Sequence, residues 1–230
     1  MMKKETNMQK IPYTFTKNGF TMIELILAIV VLGIITALAL PRIDRDLRQE
    51  AADNVLSAIR YTQHLALTDN RHRFDSADWQ KSLWQIRFSN PSSTWLYTVA
   101  SNSDYDKGGT NLDQNESAID PANGKFMHSD DSILDSDESP NIFLTKKYGI
   151  NSIVFNSCQG KSGSTAYHIA FDNLGRPHRG VTQGATNDYQ TYINNGNCLI
   201  TFNSPSFDSS FTIEIEQETG YAFIVGQPDS

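Results

Sequence analysis

The longest apolar stretch of the chain lies near its amino terminus. Residues 20–40 read FTMIELILAIVVLGIITALAL and contain a single charged side chain, Glu24. A helix of about 20 predominantly apolar residues can cross the hydrocarbon layer of a bilayer. The residues before this run carry four lysines and one acid, which favours a cytoplasmic amino terminus and translocation of the remainder. The pattern predicts a single-pass transmembrane helix over residues 20–40.

The apolar positions that follow Pro41 recur at helical spacing, with charged residues between them. These apolar positions are Ile43, Leu47, Ala51, Val55, Ile59 and Ala66. Such a stripe is typical of a helix that lies on a sheet. Residues 41–72 are therefore predicted to continue the first helix, and the helical pattern ends near Asn70.

The remainder, residues 73–230, contains short segments rich in aromatic and β-branched residues, separated by turn formers. The predicted strands are Ser82–Phe88, Trp95–Ala100, Ser152–Phe155, Ala166–Phe171, Cys198–Phe202, Phe211–Glu216 and Tyr221–Val225. The turn at Thr219-Gly220 joins the last two strands into a hairpin. The fold class is predicted to be α+β, with a long amino-terminal helix packed on a small antiparallel β-sheet or sandwich.

Charge is concentrated in one part of the predicted head. The whole chain has a formal net charge of -7, which does not favour a protein that coats nucleic acid. Residues 101–140 hold ten acids and two lysines, together with many turn formers. This acidic insertion is interpreted as a solvated surface segment between strands.

The two cysteines, Cys158 and Cys198, lack the spacing of a zinc site. In a head exported from the cytoplasm they are expected to form a disulfide. Two separate buried thiols remain the alternative.

Glu24 is unusual because a carboxylate within a membrane helix is costly and is generally functional. A residue near the helix start that snorkels to the interface is the alternative. The surrounding residues, Lys17-Asn18-Gly19-Phe20-Thr21-Met22-Ile23-Glu24-Leu25, resemble the class III leader of type IV prepilins and type II secretion pseudopilins.

The resemblance implies roles for individual residues. A prepilin peptidase would remove the leader, residues 1–19, by cleavage between Gly19 and Phe20, and would methylate Phe20. Glu24 would meet the terminal amine of a neighbouring subunit during filament assembly, and Pro41 would kink the helix. The expected partners are the peptidase, other pilins or pseudopilins, the inner-membrane assembly platform and membrane lipid.

A second resemblance lies in the carboxy-terminal part. Ile169-Ala170-Phe171-Asp172-Asn173-Leu174-Gly175-Arg176-Pro177, the strand at Cys198-Leu199-Ile200 and the turn Glu218-Thr219-Gly220-Tyr221 look like the H-type pseudopilins and related minor pilins. That family has a long helix packed on a small β head. The resemblance supports the same fold class as the hydrophobic pattern.

The acidic insertion also resembles a calcium-binding loop, if one residue is inserted near Gly108-Gly109. The candidate ligands are Asp104, Asp106, Asp113 and Glu116. Alternating acids, a turn glycine and a closing glutamate supply oxygen ligands of the kind that Ca²⁺ prefers. Calcium is thus a possible cofactor, and no other cofactor is expected.

No pattern in the chain predicts catalysis. The five histidines lack chelating or nucleophile-activating spacing, and no glycine-rich phosphate loop follows a strand. Two small basic clusters, Arg71–Arg73 and Arg176–Arg179, are interpreted as solvated turns, so nucleic acid is not an expected partner.

The sequence therefore favours a minor pilin or pseudopilin, anchored in the inner membrane with its head in the periplasm and then incorporated into a type IV pilus or a type II secretion pseudopilus. A membrane-anchored adhesin or a DNA-uptake binding subunit is the alternative. The residues do not distinguish the two machines.

Overall fold

The computed structural model describes residues 19, 21–72, 75, 77–103, 112–158, 167–181 and 191–227, without the side chains of residues 38–46, 77 and 78. The chain divides into an amino-terminal unit that ends at Arg42 and a larger unit that begins at Ile43. Phe20 and most of the predicted leader lie outside the described residues.

The first element is the long helix α1, Met22–Thr68. Pro41 lies inside it, and the kink predicted there stays a prediction. In the larger unit, Ala51, Val55, Ile59 and Ala66 are buried, and Leu47 packs against the same core. The predicted apolar stripe is therefore confirmed at these five positions.

Eight β-strands occur in the described part of the chain. They are β1 (Trp84–Ser89), β2 (Leu96–Ala100), β3 (Ser152–Asn156), β4 (Tyr167–Phe171), β5 (Pro177–His178), β6 (Cys198–Asn203), β7 (Phe211–Ile215) and β8 (Ala222–Ile224). A short helix, α2 (Leu144–Tyr148), precedes β3, and 3₁₀ turns occupy Ala77–Lys81, Pro91–Ser93, Gln114–Glu116 and Pro140–Ile142. All seven predicted strands are present, and β5 is an addition.

The strands form two four-stranded sheets. The first has the order β2-β1-β4-β5 and the second the order β3-β6-β7-β8, with antiparallel pairing throughout. Register in the second sheet places Ile200 opposite both Phe155 and Ile213. The alternation of buried and half-buried residues along β6 and β7 follows from the period of two of a strand with one buried face.

One hydrophobic core joins the second half of α1 to both sheets. Phe88 on β1 connects the sheets, because its ring centroid lies 5.7 Å from that of Phe155 and 5.8 Å from that of Phe202, both in edge contacts. Such edge contacts between rings are favourable beyond the area they bury. The observed α+β architecture, a long helix followed by antiparallel sheets, is the predicted one.

Two tight turns fix α1 against the head. Gln63 Nε2 donates to the carbonyls of Gly175, at 2.9 Å, and Thr219, at 3.0 Å. Gly220 has a φ of 68°, and a Cβ there would overlap the Gly175 carbonyl oxygen. Only glycine fits at this position, since it tolerates the left-handed backbone and leaves room for the neighbouring turn.

Candidate functional site

The amino terminus of α1 carries the residues predicted for processing and assembly. Gly19 is exposed, and a Cβ built on it would meet no atom of the described chain within 4 Å. Phe20 lies outside the described residues, and α1 begins two residues later, at Met22. Gly19 therefore lies in open, non-helical backbone next to the helix start, a geometry that leaves it accessible.

Glu24 closes the first turn of α1 through a reciprocal capping interaction with Thr21. Glu24 Oε2 accepts hydrogen bonds from the Thr21 backbone nitrogen and from Thr21 Oγ1, both at 2.9 Å. The Glu24 backbone nitrogen donates to Thr21 Oγ1 at 3.3 Å. The two residues thus satisfy donors that a helix start leaves unpaired.

Thr21 was not among the residues predicted for this site. A threonine followed three residues later by a glutamate is the sequence signature of a capping box, and it was present in TMIE. Thr21 is thus a local partner that the cost of a carboxylate in an apolar run does not reveal.

Residues 22–37 of α1 are exposed and, apart from Glu24 and Thr36, carry no polar side chain. Its exposed large apolar side chains are Met22, Ile23, Leu25, Ile26, Leu27, Ile29, Val30, Val31, Leu32, Ile34 and Ile35. The hydroxyl of Thr36 donates back to the Leu32 carbonyl at 2.7 Å, so it places no unpaired donor on this surface. A helix that is hydrophobic all round is normally covered by lipid or by other protein.

Among the described residues, no helix is both long and apolar enough to cross a membrane. Of the predicted span, residues 20–40, Phe20 and the side chains of residues 38–40 lie outside the described residues.

Cys158 and Cys198 form the disulfide that the sequence predicted. Their Cα atoms are 5.0 Å apart, which is within the usual range for such a bridge. Cys158 lies just after β3 and Cys198 begins β6, the strand that pairs with it. The bond therefore links the end of β3 to the start of β6, which lie side by side because the two strands are antiparallel.

Two of the four candidate calcium ligands, Asp104 and Asp106, lie outside the described residues. The other two belong to one turn: Glu116 Oε2 accepts from the Asp113 backbone nitrogen at 3.2 Å, and Glu116 Oε1 accepts from Ser103 Oγ at 3.0 Å. Within the described residues no three His, Cys, Asp or Glu side chains gather as a metal site. Calcium binding stays an untested prediction.

The basic cluster at 176–179 is tied into the head. Arg176 contacts Asp172 through Nε at 2.8 Å and donates to the hydroxyl of Tyr192 at 2.7 Å. Burial alone would raise the pKa of Asp172, but the His178 ring nitrogen 3.5 Å away and the hydrogen bonds from Arg176 hold it well below its usual range. Asp172 also accepts from the backbone nitrogens of Leu174 and Arg176, so this network fixes the Gly-Arg-Pro turn.

The other basic cluster is described only in part, because Arg73 lies outside the described residues. Arg71 Nε pairs with Asp69 at 2.6 Å, and the His72 ring lies 4.5 Å from that of Trp79. These contacts hold Arg71 and His72 against Asp69 and Trp79, just after the end of α1.

Comparison with known proteins bears on the amino terminus. No curated protein and no solved structure matches the chain. Residues 15–40 match the family model described as the prokaryotic N-terminal methylation motif, which covers Gly19, Phe20, Thr21 and Glu24. The chain therefore carries the methylation motif of pilin-like proteins, and this motif implies processing by prepilin peptidase and assembly with other pilins.

Proposed function

We propose that this chain is a minor pilin or pseudopilin, a structural subunit of a type IV pilus or a type II secretion pseudopilus. Prepilin peptidase cuts it between Gly19 and Phe20 and methylates Phe20. The observation that carries the proposal is the exposed apolar stretch of α1 at residues 22–37, whose first turn is capped by Thr21 and Glu24 within a methylation motif.

The apolar surface of α1 must be shielded from water both before and after assembly. Before assembly, the lipid of the inner membrane covers residues 20–40, and the head lies in the periplasm. After extraction, the equivalent helices of neighbouring subunits cover the same surface. Side chains without polar groups suit both environments, since they need no hydrogen-bonding partner in either.

One carboxylate oxygen of Glu24, Oε1, remains available to a neighbouring subunit. Both bonds from Thr21 end on Oε2, and Oε1 accepts no hydrogen bond from the described residues. The amine released on Phe20 by cleavage is a cation that needs an anion when it is buried. Glu24 of one subunit supplies that anion to the next, and the pair sets the axial position of the subunits.

Substitutions at Glu24 and Thr21 separate the two roles of the carboxylate. Glu24→Ala removes the anion and the cap together, whereas Thr21→Ala removes the threonine side chain and costs the helix start about 1 kcal/mol. We expect Glu24→Ala to be cleaved normally yet to be lost from the sheared filament fraction. Thr21→Ala is expected to be cleaved and incorporated.

Immunoblots of the membrane and sheared fractions from the native host provide the readout. Normal incorporation of Glu24→Ala would contradict the intersubunit role of Glu24. Absence of the unaltered chain from the sheared fraction would contradict the proposal and favour an anchored adhesin or DNA-uptake subunit. Loss of both variants from filaments would show that capping, rather than the intersubunit pair, is what assembly needs.

A further inference from the structure

A cleft of about 450 Å³ lies in the head, between the second half of α1 and the segment that leads into α2. Tyr61, Tyr97 and Tyr148 line it, with Ala58, Ala122 and Met127 between them. Its volume is in the range of pockets that hold small organic molecules. Nothing in the assembly function proposed above uses it.

The three tyrosines are held in place by their own hydroxyl groups. Tyr61 donates to the Ile119 carbonyl at 3.1 Å, Tyr97 donates to Asn54 Oδ1 at 3.2 Å, and Tyr148 donates to Glu50 Oε1 at 3.3 Å. Each hydroxyl proton is therefore engaged by the protein. The cleft is preformed, and the phenol oxygens contribute lone pairs rather than donors to it.

Asp120 is a buried carboxylate in the wall of the cleft, with 5% of its surface exposed. It accepts from the Ala122 backbone nitrogen at 2.8 Å, from Ser139 Oγ at 2.5 Å and from the side-chain amides of Asn123 and Asn141. All four donors are neutral, and no cation of the described residues pairs with it. Burial would raise its pKa, but these bonds hold it below the usual value, so Asp120 is charged at neutral pH.

The only lysine among the residues that line the cleft already pairs with an acid. Lys147 Nζ lies 3.1 Å from Glu50 Oε1 and donates to Asn141 Oδ1 at 2.8 Å. The remaining acid of the lining, Asp53, accepts from the Gln49 amide at 2.9 Å. Asp53 and Asp120 thus retain two negative charges that no described cation offsets.

The pKa values of Tyr61 and Tyr97 are both raised, first by burial and then by the charge of Asp120, in keeping with a negative potential across the cleft.

We propose that this cleft binds a small organic cation, whose ammonium or guanidinium group offsets the charge of Asp120 and Asp53 while its apolar part contacts the tyrosines. Buried charges in proteins are generally paired, and aromatic rings attract cations through their electron-rich faces. No three acidic, histidine or cysteine side chains of the described residues gather here as a metal site, so an organic cation is preferred to a bare metal ion.

Calorimetric titration of the full chain in lipid nanodiscs with agmatine, which carries a guanidinium at one end and an ammonium at the other, tests the proposal. Pentylurea, a neutral molecule of similar length that lacks both charges, is the comparison probe. We expect agmatine to bind and pentylurea to give no measurable heat. Asp120→Asn should weaken agmatine binding about tenfold or more, since hydrogen bonds to charged groups are the strong ones.

Two further variants keep the test decisive if Asp120→Asn folds poorly. Ser57→Trp alters an exposed position of α1 that lines the cleft, so it should block binding without disturbing the core. Asp208→Asn removes an exposed carboxylate outside the cleft and should leave binding unchanged.

A peptide with one central arginine, compared with its citrulline counterpart, identifies the source of the cation. Tighter binding of the peptide than of agmatine would place the cation on a polypeptide partner, and the reverse would place it on a free small molecule. No response to agmatine or to the arginine peptide, or an equal response to the neutral analogues, would overturn the proposal.

Discussion

Individual buried side chains in the head are held in one charge state by their immediate surroundings. His168 on β4 is 6% exposed and faces away from the main core, on the side of the first sheet where Trp79, Leu83 and Val181 pack. Burial and the positive charge of Arg87 lower the pKa of His168 to about 4. His168 is therefore neutral in the folded protein wherever the pH is well above that value.

The free energy of unfolding is expected to fall as the pH drops from 7 to 5. The unfolded chain binds a proton at His168 near pH 6.5, whereas the folded chain resists it down to about pH 4. The unfolded state thus binds more protons in this window, and acid favours unfolding. We expect His168 to contribute a loss of about 2 kcal/mol in the free energy of unfolding between pH 7 and pH 5.

Urea unfolding of the full chain at the two pH values measures this loss. His168→Gln should reduce the pH dependence by that amount. His64→Gln, a substitution of an exposed histidine on α1, should leave it unchanged. An unaltered pH dependence in His168→Gln would contradict the assignment.

At the scale of elements, α1 presents two different surfaces along its length. Its first half exposes apolar side chains on every side, whereas Ala51, Val55 and Ile59 of its second half are buried against the head. The sequence predicts this difference well, because a continuous apolar run and a stripe with helical spacing are distinct patterns. The seven strands were predicted from their aromatic and β-branched residues and from the turn formers between them.

Elements that depend on tertiary contacts escaped the sequence reasoning. The strand β5 has two residues, Pro177 and His178, and exists only because β4 pairs with it. The cleft brings together Tyr61, Tyr97 and Tyr148 from three separate elements. No local pattern marks either feature, because both arise from packing between distant parts of the chain.

The disulfide stabilises the pairing of β3 with β6. The cysteines are 40 residues apart in the sequence. Closing a loop of this length in the unfolded chain is worth about 4 kcal/mol on the chain-entropy model. We expect the double variant Cys158→Ser with Cys198→Ser to lose stability by about that amount in urea unfolding followed by tryptophan fluorescence.

Reduction provides the control for this expectation. A thiol reductant should destabilise the unaltered chain and should have no effect on the double variant. Equal sensitivity of both proteins to the reductant would contradict a structural role for the bond.

At the scale of the whole molecule, the chain divides into an amino-terminal unit and a larger unit that forms the folded head. The methylation motif at residues 15–40 and the exposed apolar helix lie in the first unit. The disulfide, both sheets and the tyrosine cleft lie in the second. This division fits a subunit in which one part assembles and the other presents a surface.

The intact mass of the protein recovered from membranes of its native host tests the central claim most directly. The account predicts the mass of the chain from Phe20 onward, plus one methyl group. Gly19→Asp should retain the full leader, which would tie the cleavage to this bond. A mass that includes the leader in the unaltered protein would contradict the account, because an unprocessed helix cannot offer the Phe20 amine to Glu24 of a neighbour.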